Sequence, residues 1–338
     1  MSSIITFEEA LAKSEGKKHL LLGNGFSRAC RDDIFAYSAL FQRADFSALS
    51  PTARNAFDAL GTTDFEVVMK ALKMAALLVR LRGPENATLA DSLKRDAEGL
   101  RRVLAAAIGH NHPERPSDIL AESYNHCRSF LQNFDTIYTL NYGLLLYWAL
   151  MQKELEPDVG FDDGFRTPDD GEAEYVTWDV EKTDGQTVFY LHGALHIYDA
   201  GSELQKYTWI NTGFALIDQI CSALEANLYP LIVAEGTSTE KLARILHSSY
   251  LGRGYRSFSK IGGNLFVYGH AMGENDEHWY RLIEKGKLRR LFVGIFGDPG
   301  SAGNKGLMAK GLRLHEMRPA KNPLEVNFFD STSLKVWG

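Results

Sequence analysis

Hydrophobic residues follow two patterns along this chain, and the two alternate from one end to the other. Short runs are apolar at nearly every position, as in Leu20-Leu21-Leu22, which is typical of strands covered on both faces. Longer stretches repeat apolar residues every three or four positions, which is typical of amphipathic helices. The short runs predict strands over 18–23, 135–140, 188–191, 196–198, 231–233, 264–268, 290–296 and 325–329. The longer stretches predict helices over 7–14, 64–82, 88–108, 116–133, 143–154, 213–228, 238–248 and 276–285.

Strands that alternate with helices predict an α/β fold with a Rossmann-like, doubly wound and mostly parallel sheet. We expect one domain over 1–338, with a helical insertion over 45–133 after the first predicted strand. The insertion could also form a wall or a lid over a site. The segment 154–187 is acidic and contains several glycines and prolines, so we expect an exposed loop with little regular structure, either a solvated excursion or a lid.

Composition, charge and cysteine spacing exclude several classes of protein. The 338 residues are 45% hydrophobic and 24% charged, as in an ordinary folded protein. The net charge of −6 leaves no basic field, so we expect no direct binding of nucleic acid. The three cysteines form no C-x-x-C pair, which excludes a cysteine zinc ribbon and fits a reducing cytoplasm. No apolar run is long enough to span a bilayer, and the first residues do not form a signal peptide, so we expect no membrane association.

The most informative polar positions follow the first predicted strand, at Gly23, Asn24, Gly25, Phe26 and Ser27. Two glycines let the backbone approach a ligand closely, and the N–H groups that open the following helix face an anion. Position 28 is an arginine, so the third glycine of the dinucleotide fingerprint is missing. Taken alone, the segment is either an ordinary strand-to-helix turn or a phosphate site.

Polar residues or glycines also follow three later predicted strands. They are Thr139, Asn141 and Tyr142 after 135–140, His192 and Gly193 after 188–191, and Gly269, His270, Asn275 and Asp276 after 264–268. Because parallel sheets bind ligands at the carboxyl ends of their strands, we expect these residues to lie near the glycine turn. Taken singly, Asn141 could merely cap a helix, and His192 could be structural.

This ordered set of four segments resembles the sirtuin-like superfamily. Its members show a G-A-G-x-S type turn, a T-x-N-Y-D or T-Q-N-I-D segment, an H-G pair and a late glycine turn. The resemblance covers roughly residues 18–276. Within that superfamily the chain is similar to an uncharacterised bacterial family, DUF4917-like, in the segment 231–236, in Lys241-Leu242 and in Tyr250-Leu251.

The resemblance implies a fold that binds NAD without a metal. It assigns the turn from Gly23 to Ser27 to the NAD phosphates and the nearby ribose. It assigns Asn141 to the nicotinamide ribose and to positioning the attacking group, and His192 to the ribose hydroxyls and to general-base catalysis. The remaining contacts that it implies are Thr139, Tyr142 and Gly193, with Gly269, His270, Asn275 and Asp276 near the adenosine half.

These residue types suit cleavage of the bond between nicotinamide and ribose. The reaction passes through an oxocarbenium-like transition state, as glycoside cleavage does. Nicotinamide leaves as a neutral molecule, so the enzyme has to hold the ribose, orient a water and accept a proton. An amide such as that of Asn141 can donate and accept hydrogen bonds, and a histidine such as His192 titrates near neutral pH.

Two departures from the superfamily pattern shape the expected activity. Gly143 follows Tyr142 where members usually have aspartate, which removes a carboxylate and leaves open whether Asp135 or Asp163 compensates. The four-cysteine zinc module of protein-deacylating sirtuins is absent, which disfavours lysine deacylation.

Sirtuin-like proteins without that module are similar to NAD-depleting effectors of bacterial anti-phage defence. The resemblance therefore implies an NAD⁺ glycohydrolase that yields nicotinamide and ADP-ribose or a cyclic product. It would be held inactive until a partner protein or homo-oligomerisation triggers it. The alternative is a non-catalytic module that binds NAD or ADP-ribose and acts with a partner protein.

Two groups of residues have the composition of metal sites. His110, His112 and Glu114 flank an apparent loop between helices, and a solvated loop explains them without a metal. His278 lies close in sequence to His270 and Asp276, and the aspartate is explained by the dipole at a helix N-terminus. We therefore predict no metal.

Overall fold

The structure, a computed structural model, describes residues 4–152, 154–155, 157, 159–168, 175–182, 184–208, 215–226, 228–234 and 236–338. The strands within this part are β1 (Ile4–Ile5), β2 (Lys18–Leu22), β3 (Thr136–Thr139), β4 (Phe165–Arg166), β5 (Tyr175–Trp178), β6 (Val188–Tyr190), β7 (Ile197–Asp199), β8 (Leu204–Tyr207), β9 (Gly262–Tyr268), β10 (Lys287–Ile295) and β11 (Glu325–Asp330).

The helices of the same part lie between and around these strands. They are α1 (Phe7–Lys13), α2 (Gly25–Cys30), α3 (Asp32–Phe35), α4 (Tyr37–Arg43), α5 (Pro51–Leu60), α6 (Phe65–Arg80), α7 (Ala87–Asn111), α8 (Ala121–Leu131), α9 (Leu145–Met151), α10 (Leu216–Glu225), α11 (Ser238–His247), α12 (Ser249–Ser259), α13 (Glu277–Lys285) and α14 (Ala302–Glu316). None of the helices in the described ranges is long and apolar enough to cross a membrane.

The main sheet has seven strands in the order β1-β11-β10-β9-β2-β3-β6, and every neighbouring pair is parallel. Without the edge strand β1, the order read from β6 to β11 is that of the Rossmann fold, third-second-first-fourth-fifth-sixth in chain order. The strand order reverses at β2, which pairs with β3 on one side and β9 on the other. This confirms the predicted α/β class, and in such folds a ligand crevice is expected beside the strand at which the order reverses.

The sheet forms because its central strands are apolar on both faces. Leu20, Leu21 and Leu22 are fully buried, and Leu20 lies in register between Ile137 and Phe266. Phe266 in turn stacks on Phe292 of the next strand, with ring centroids 4.4 Å apart. A parallel sheet covered by helices on both faces needs such uninterrupted apolar strands.

Helices α2 to α8 lie between β2 and β3, and we call them together the helical insertion. Helices α5 to α8 fall within the predicted bounds of 45–133, whereas α2 to α4 precede them. The base of the insertion is an aromatic cluster of Phe41, Phe46, Phe57 and Phe65, in which Phe46 and Phe65 stack with centroids 6.1 Å apart. The first strand of the chain is the short β1, which pairs with β11 and carries too few residues to show a pattern in the sequence.

Part of the segment 154–187 is not the irregular loop that we predicted. Strands β4 and β5 lie within it and join β8 and β7 in a second, antiparallel sheet of four strands. Phe165 and Trp178 anchor these strands against Tyr250, with centroid distances of 5.4 and 5.5 Å. These two aromatic side chains therefore provide a small core for the second sheet. The sequence did not indicate it, because glycines, prolines and acidic residues dominate the segment.

One predicted strand and two helices also differ between the prediction and the structure. The predicted strand over 231–233 forms only an isolated bridge between Ile232 and Gly193. Helices α12 and α14 were not predicted, because glycines interrupt their helical patterns. In α12, Gly254 packs so closely on the sheet that a Cβ there would lie 3.1 Å from a methyl carbon of Leu191.

Candidate functional site

A cavity of about 90 Å³ lies at the carboxyl ends of β2, β3 and β9 and just beyond β6. Polar residues from all four predicted strand ends line it, as the parallel topology requires, and Glu66 of α6 joins them. The lining residues are Asn24, Ser27, Phe35, Leu40, Glu66, Leu104, Ile108, Leu140, Asn141, Tyr142, Gly143, His192, His270 and Asp276. The cavity therefore brings Asn141 and His192 together, although more than 100 residues separate either of them from the glycine turn.

The glycine turn after β2 packs directly on the turn after β9. A Cβ on Gly23 would lie 2.5 Å from the Gly269 carbonyl oxygen, and one on Gly25 would lie 2.5 Å from the Gly269 Cα. The Gly23 N–H donates to Tyr268 O at 2.9 Å, and the Gly25 N–H donates to Gly269 O at 2.8 Å. Both N–H groups are thus used within the protein. For Gly25, which opens α2, this is contrary to the prediction that the N–H groups at the helix start face an anion. Phosphate contacts at this turn would depend on Asn24 and Ser27, which line the cavity.

Phe26, a predicted NAD contact, points away from the cavity lining and into the core. Its ring packs on Trp337 at a centroid distance of 5.2 Å, and its carbonyl accepts a hydrogen bond from the Trp337 indole at 2.9 Å. The residue therefore anchors the glycine turn against the last residues of the chain.

Asn141 is held from both sides at the end of β3. Its backbone N–H donates to Thr139 Oγ1 at 3.1 Å, and its side-chain Nδ2 donates to the Gly23 carbonyl at 2.9 Å. Thr139 itself is fully buried and positions Asn141 instead of lining the cavity. The bond to Gly23 uses one of the two Nδ2 hydrogens, so Oδ1 and the second hydrogen are able to orient a ligand or a water in the cavity.

Position 193 has to be a glycine because the segment 231–233 packs directly against its backbone. Its φ is +77°, and a Cβ there would lie 1.7 Å from the Leu231 carbonyl oxygen. The Val233 N–H donates to the His192 carbonyl at 2.9 Å. Gly193 is absent from the cavity lining and instead lets the 231–233 segment clamp the backbone of His192.

The side chain of His192 is neutral in this geometry. The Trp279 indole donates to His192 Nε2 at 3.2 Å, so Nε2 accepts and the ring proton is on Nδ1. Burial lowers the pKa of His192 well below its usual value, although nearby Asp276 acts in the opposite direction. With Nε2 already engaged, the general-base role expected for this histidine is not available without releasing Trp279.

Three buried charged groups meet beside His192. Lys241, which is fully buried, donates to Glu66 Oε2 at 2.7 Å and to Asp276 Oδ1 at 3.2 Å. Asp276 Oδ1 is 3.6 Å from His192 Nε2. With both carboxyl groups ionised and Lys241 protonated, these three groups carry one net negative charge.

Glu66 reaches this cluster from the helical insertion. Its Oε1 accepts a hydrogen bond from the Tyr142 hydroxyl at 3.0 Å, and its Oε2 accepts a second one from Asn275 Nδ2 at 2.6 Å. These bonds connect the first turn of α6 to two of the predicted NAD contacts.

The surroundings shift the pKa values of the two carboxyl groups, Glu66 and Asp276, in opposite directions. Burial raises the pKa of Glu66 to about 7, since the attraction of Lys241 only partly counteracts desolvation and Asp276 adds repulsion. Burial alone would also raise the pKa of Asp276, but the hydrogen bond from His270 and the Lys241 ammonium together hold it below its usual value. Burial likewise opposes the charge on Lys241, yet its ion pairs with Glu66 and Asp276 raise its pKa. The cluster therefore contains one firmly ionised carboxylate and one that titrates near neutral pH.

His270 orients Asp276. The Met272 N–H donates to His270 Nδ1 at 3.0 Å, which leaves the proton on Nε2, and Nε2 lies 3.2 Å from Asp276 Oδ2. The resemblance placed residues 269–276 near the adenosine half of NAD, but the structure brings Asp276 against His192 at the predicted reacting end.

A family model described as a domain of unknown function, DUF4917, matches residues 20–337. The chain belongs to the DUF4917 family. No curated protein matches it.

Neither aspartate that could compensate for the carboxylate expected at position 143 lies at the cavity of the DUF4917 chain. Asp135 accepts a hydrogen bond from the Lys18 N–H at 2.8 Å, and Asp163 pairs with Lys206 beside the second sheet. Neither lines the cavity, whereas Glu66 and Asp276 do. Lys241 was part of the family-like segment, but no local pattern connected it to two carboxylates 175 and 35 residues away.

A larger cavity of about 680 Å³ adjoins the second sheet of the DUF4917 chain. Its charged side chains pair with one another, Arg166 with Asp162 and Lys206 with Asp163. It contains none of the residues that the strand-end motifs predicted, so we place the candidate site at the smaller cavity.

One set of side chains in the described residues has metal-ligand proximity. The ligand atoms of His192, Asp276 and His278 lie within 4.8 Å of one another. Trp279 already donates to His192, and Lys241 already places a positive charge on Asp276. Two of the three groups therefore already have partners within the protein.

The other metal-like group, around His112, also has a structural explanation, but not the solvated loop that we predicted. His112 is buried, its Nε2 accepts from the Leu144 N–H at 3.1 Å, and its ring packs edge-on against Trp148 at 4.6 Å. Burial lowers its pKa to about 4. His112 therefore anchors the start of α9 behind Gly143.

Proposed function

We propose that this DUF4917 protein is a sirtuin-like NAD⁺ glycohydrolase. It cleaves the bond between nicotinamide and ribose to give nicotinamide and ADP-ribose or a cyclic form. The observation that carries the proposal is the convergence of Asn141, His192, Glu66 and Asp276 in one cavity at the reversal point of a Rossmann-order sheet. Fold alone would not support an activity, whereas this set of groups suits one reaction.

The electrostatics of the cluster favour a cationic transition state. The nicotinamide of NAD⁺ carries a positive charge that passes to the ribose as the glycosidic bond breaks. A buried carboxylate pair with only one ammonium between them leaves negative charge beside that centre. Fixed charges in a site shielded from water stabilise such a transition state strongly.

Binding would place the reacting ribose at Asn141 and the phosphates near Asn24 and Ser27. A cavity of about 90 Å³ holds a few waters, whereas pockets for nucleotide-sized ligands are usually several hundred Å³. NAD would thus enter only when the helical insertion moves away from the strand ends. This agrees with an effector of anti-phage defence that is inactive until a partner protein or self-association triggers it.

A second candidate function is a regulatory module that binds NAD or ADP-ribose without cutting it. The hydrogen bond from Trp279 to His192 Nε2 favours this alternative, because it occupies the expected catalytic nitrogen. Gly143 favours it as well, since the aspartate usual at that position is absent.

Incubation of the purified protein with NAD⁺, alone and with candidate activators, separates the two functions when nicotinamide is followed by chromatography. We expect release by the wild type and a loss of about 100-fold or more in Asn141→Ala and His192→Ala. His126→Ala, a half-exposed histidine on α8 that does not line the cavity, is the matched control and should retain activity. Tight binding of NAD by calorimetry, with no release under any condition, would instead establish the regulatory module.

A further inference from the structure

We propose that Glu66 is the general base of this reaction and takes a proton from the attacking water. The inference rests on the proposed glycohydrolase activity. Glu66, a residue of the helical insertion, then has the general-base role that the resemblance assigned to His192. Glu66 lines the cavity, and 12% of its side chain is exposed.

The start of α6 holds Glu66 in place. Asp64 caps the helix by accepting hydrogen bonds from the backbone N–H groups of Glu66 at 2.8 Å and Val67 at 3.4 Å. The adjacent Phe65 is fully buried in the aromatic cluster of the insertion. Because both neighbours are fixed, Glu66 reaches the strand ends from a rigid position.

One oxygen of Glu66 can still accept a proton. Oε2 accepts hydrogen bonds from Lys241 and Asn275, whereas Oε1 accepts only from Tyr142 among the described residues. A carboxylate oxygen has two lone pairs, so Oε1 has one left for a water in the cavity.

The other acceptors at the cavity are less suitable. His192 Nε2 already accepts from Trp279. Asp276 is engaged at both oxygens, by Lys241 at Oδ1 and by His270 at Oδ2, which stabilises its ionised form. Glu66 is therefore the group best able to take up a proton and release it again.

In the proposed step, the bond between ribose C1′ and the nicotinamide nitrogen breaks, and its electron pair leaves with neutral nicotinamide. The water oxygen forms the new bond to C1′, and one water proton passes to Glu66 Oε1. Glu66 then returns this proton to solvent. NAD⁺ and water thus give nicotinamide, ADP-ribose and H⁺.

Burial and the charged groups that face Glu66 set its pKa. They are Lys241 from α11, Asp276 from the turn before α13 and Asp64 from its own helix, with the Tyr142 hydroxyl and the Asn275 amide as neutral partners. Burial, only partly opposed by Lys241, raises the pKa of Glu66 to about 7, which suits a base that works near neutral pH. Because the base has to be ionised, activity should rise with pH through about 7.

Glu66→Gln tests the role because it keeps the shape of the side chain and removes the charge. We expect kcat to fall about 100-fold or more, with little change in KM, and the rise of activity near neutral pH to disappear. Glu85→Gln, at an exposed position between α6 and α7, is the matched control and should leave both the rate and the pH profile unchanged. Formate should partly restore turnover to Glu66→Ala by supplying a small carboxylate.

A second readout does not depend on turnover. The pKa of Glu66 is raised in the folded state, so the native protein keeps this proton up to about pH 7, whereas the unfolded chain loses it near 4.5. Ionisation therefore costs stability as pH rises through this window. In urea unfolding, the stability of the wild type relative to Glu66→Gln should decrease from about pH 4.5 to about pH 7.

The outcomes separate this inference from the proposed function. Release of nicotinamide at the same rate and pH profile by wild type and Glu66→Gln would overturn the role of Glu66 and leave the glycohydrolase in place. A stability difference that does not change with pH would also overturn it. If the wild type releases no nicotinamide under any condition, the proposed function is wrong, and the base role is wrong with it.

Discussion

At the scale of single residues, the glycines that first indicated a nucleotide site have a reason in the fold itself. Gly23 and Gly25 lie against Gly269 because the turns after β2 and β9 pack backbone against backbone. The side chains of the same region that line the cavity are Asn24 and Ser27, which lie next to those glycines in the turn. The glycines themselves are explained by this packing of the two turns.

Two glycine substitutions test this explanation. Gly25→Ala should destabilise the protein by about 1–3 kcal/mol, because the new methyl group would lie 2.5 Å from the Gly269 Cα. Gly306→Ala, in the exposed part of α14 with no atom within 4 Å of the new Cβ, should stabilise it by about 0.5–1 kcal/mol. Urea unfolding measures both, and a Gly25→Ala protein as stable as the wild type would contradict the packing argument.

Residue patterns predicted only some of the site. Asn141 and His192 lie directly after strands, so a local motif could reveal them. Glu66 lies in the first turn of a helix in the insertion, where an acidic residue is common because of the helix dipole. Nothing local distinguishes it from other such residues, and only its buried contacts with Lys241 and Tyr142 do.

At the scale of elements, the helical insertion closes the site. Glu66 comes from α6, Leu40 from α4, and Leu104 and Ile108 from α7, and all four line the cavity opposite the strand ends. The insertion thus supplies both a wall and a charged group. We expect a ligand much larger than the cavity to displace it.

Hydrogen exchange can follow that displacement. Addition of ADP-ribose, which is not consumed, should speed exchange in the first turn of α6 and around 104–108 of α7, because the ligand separates these helices from the strand ends. The turn over 23–27 should exchange more slowly, and α14 serves as an internal reference. Unchanged exchange in α6 and α7 with bound ADP-ribose would show that the ligand enters without moving the insertion.

At the scale of the whole molecule, a residue late in the sequence packs against the glycine turn beside the site. The Trp337 indole donates to the Phe26 carbonyl across 311 residues, and the ring also packs near Tyr124 of α8 at 6.0 Å. The turn that carries Asn24 and Ser27 is therefore supported by residues from the far end of the chain.

Substitution of Trp337 should weaken the whole fold. Trp337→Ala removes a side chain that is 5% exposed and should cost about 3–5 kcal/mol, measured by urea unfolding. Trp337→Phe keeps most of the ring contact but loses the donor to Phe26, so it should cost only about 1 kcal/mol. Equal effects of the two substitutions would mean that the indole N–H, not packing, dominates.

The sequence by itself determined the class of the fold. Apolar strands in alternation with amphipathic helices predicted the parallel sheet, and polar residues after strands predicted a candidate site at its carboxyl edge, because both signals are local in sequence. Tertiary structure alone decided the second sheet, the closure of the cavity by the insertion, the use of the Gly23 and Gly25 N–H groups within the protein, and the meeting of Glu66, Lys241 and Asp276. Those features arise when residues that are far apart in the sequence pack together and become buried. Such long-range burial and charge pairing leave no pattern among neighbouring residues.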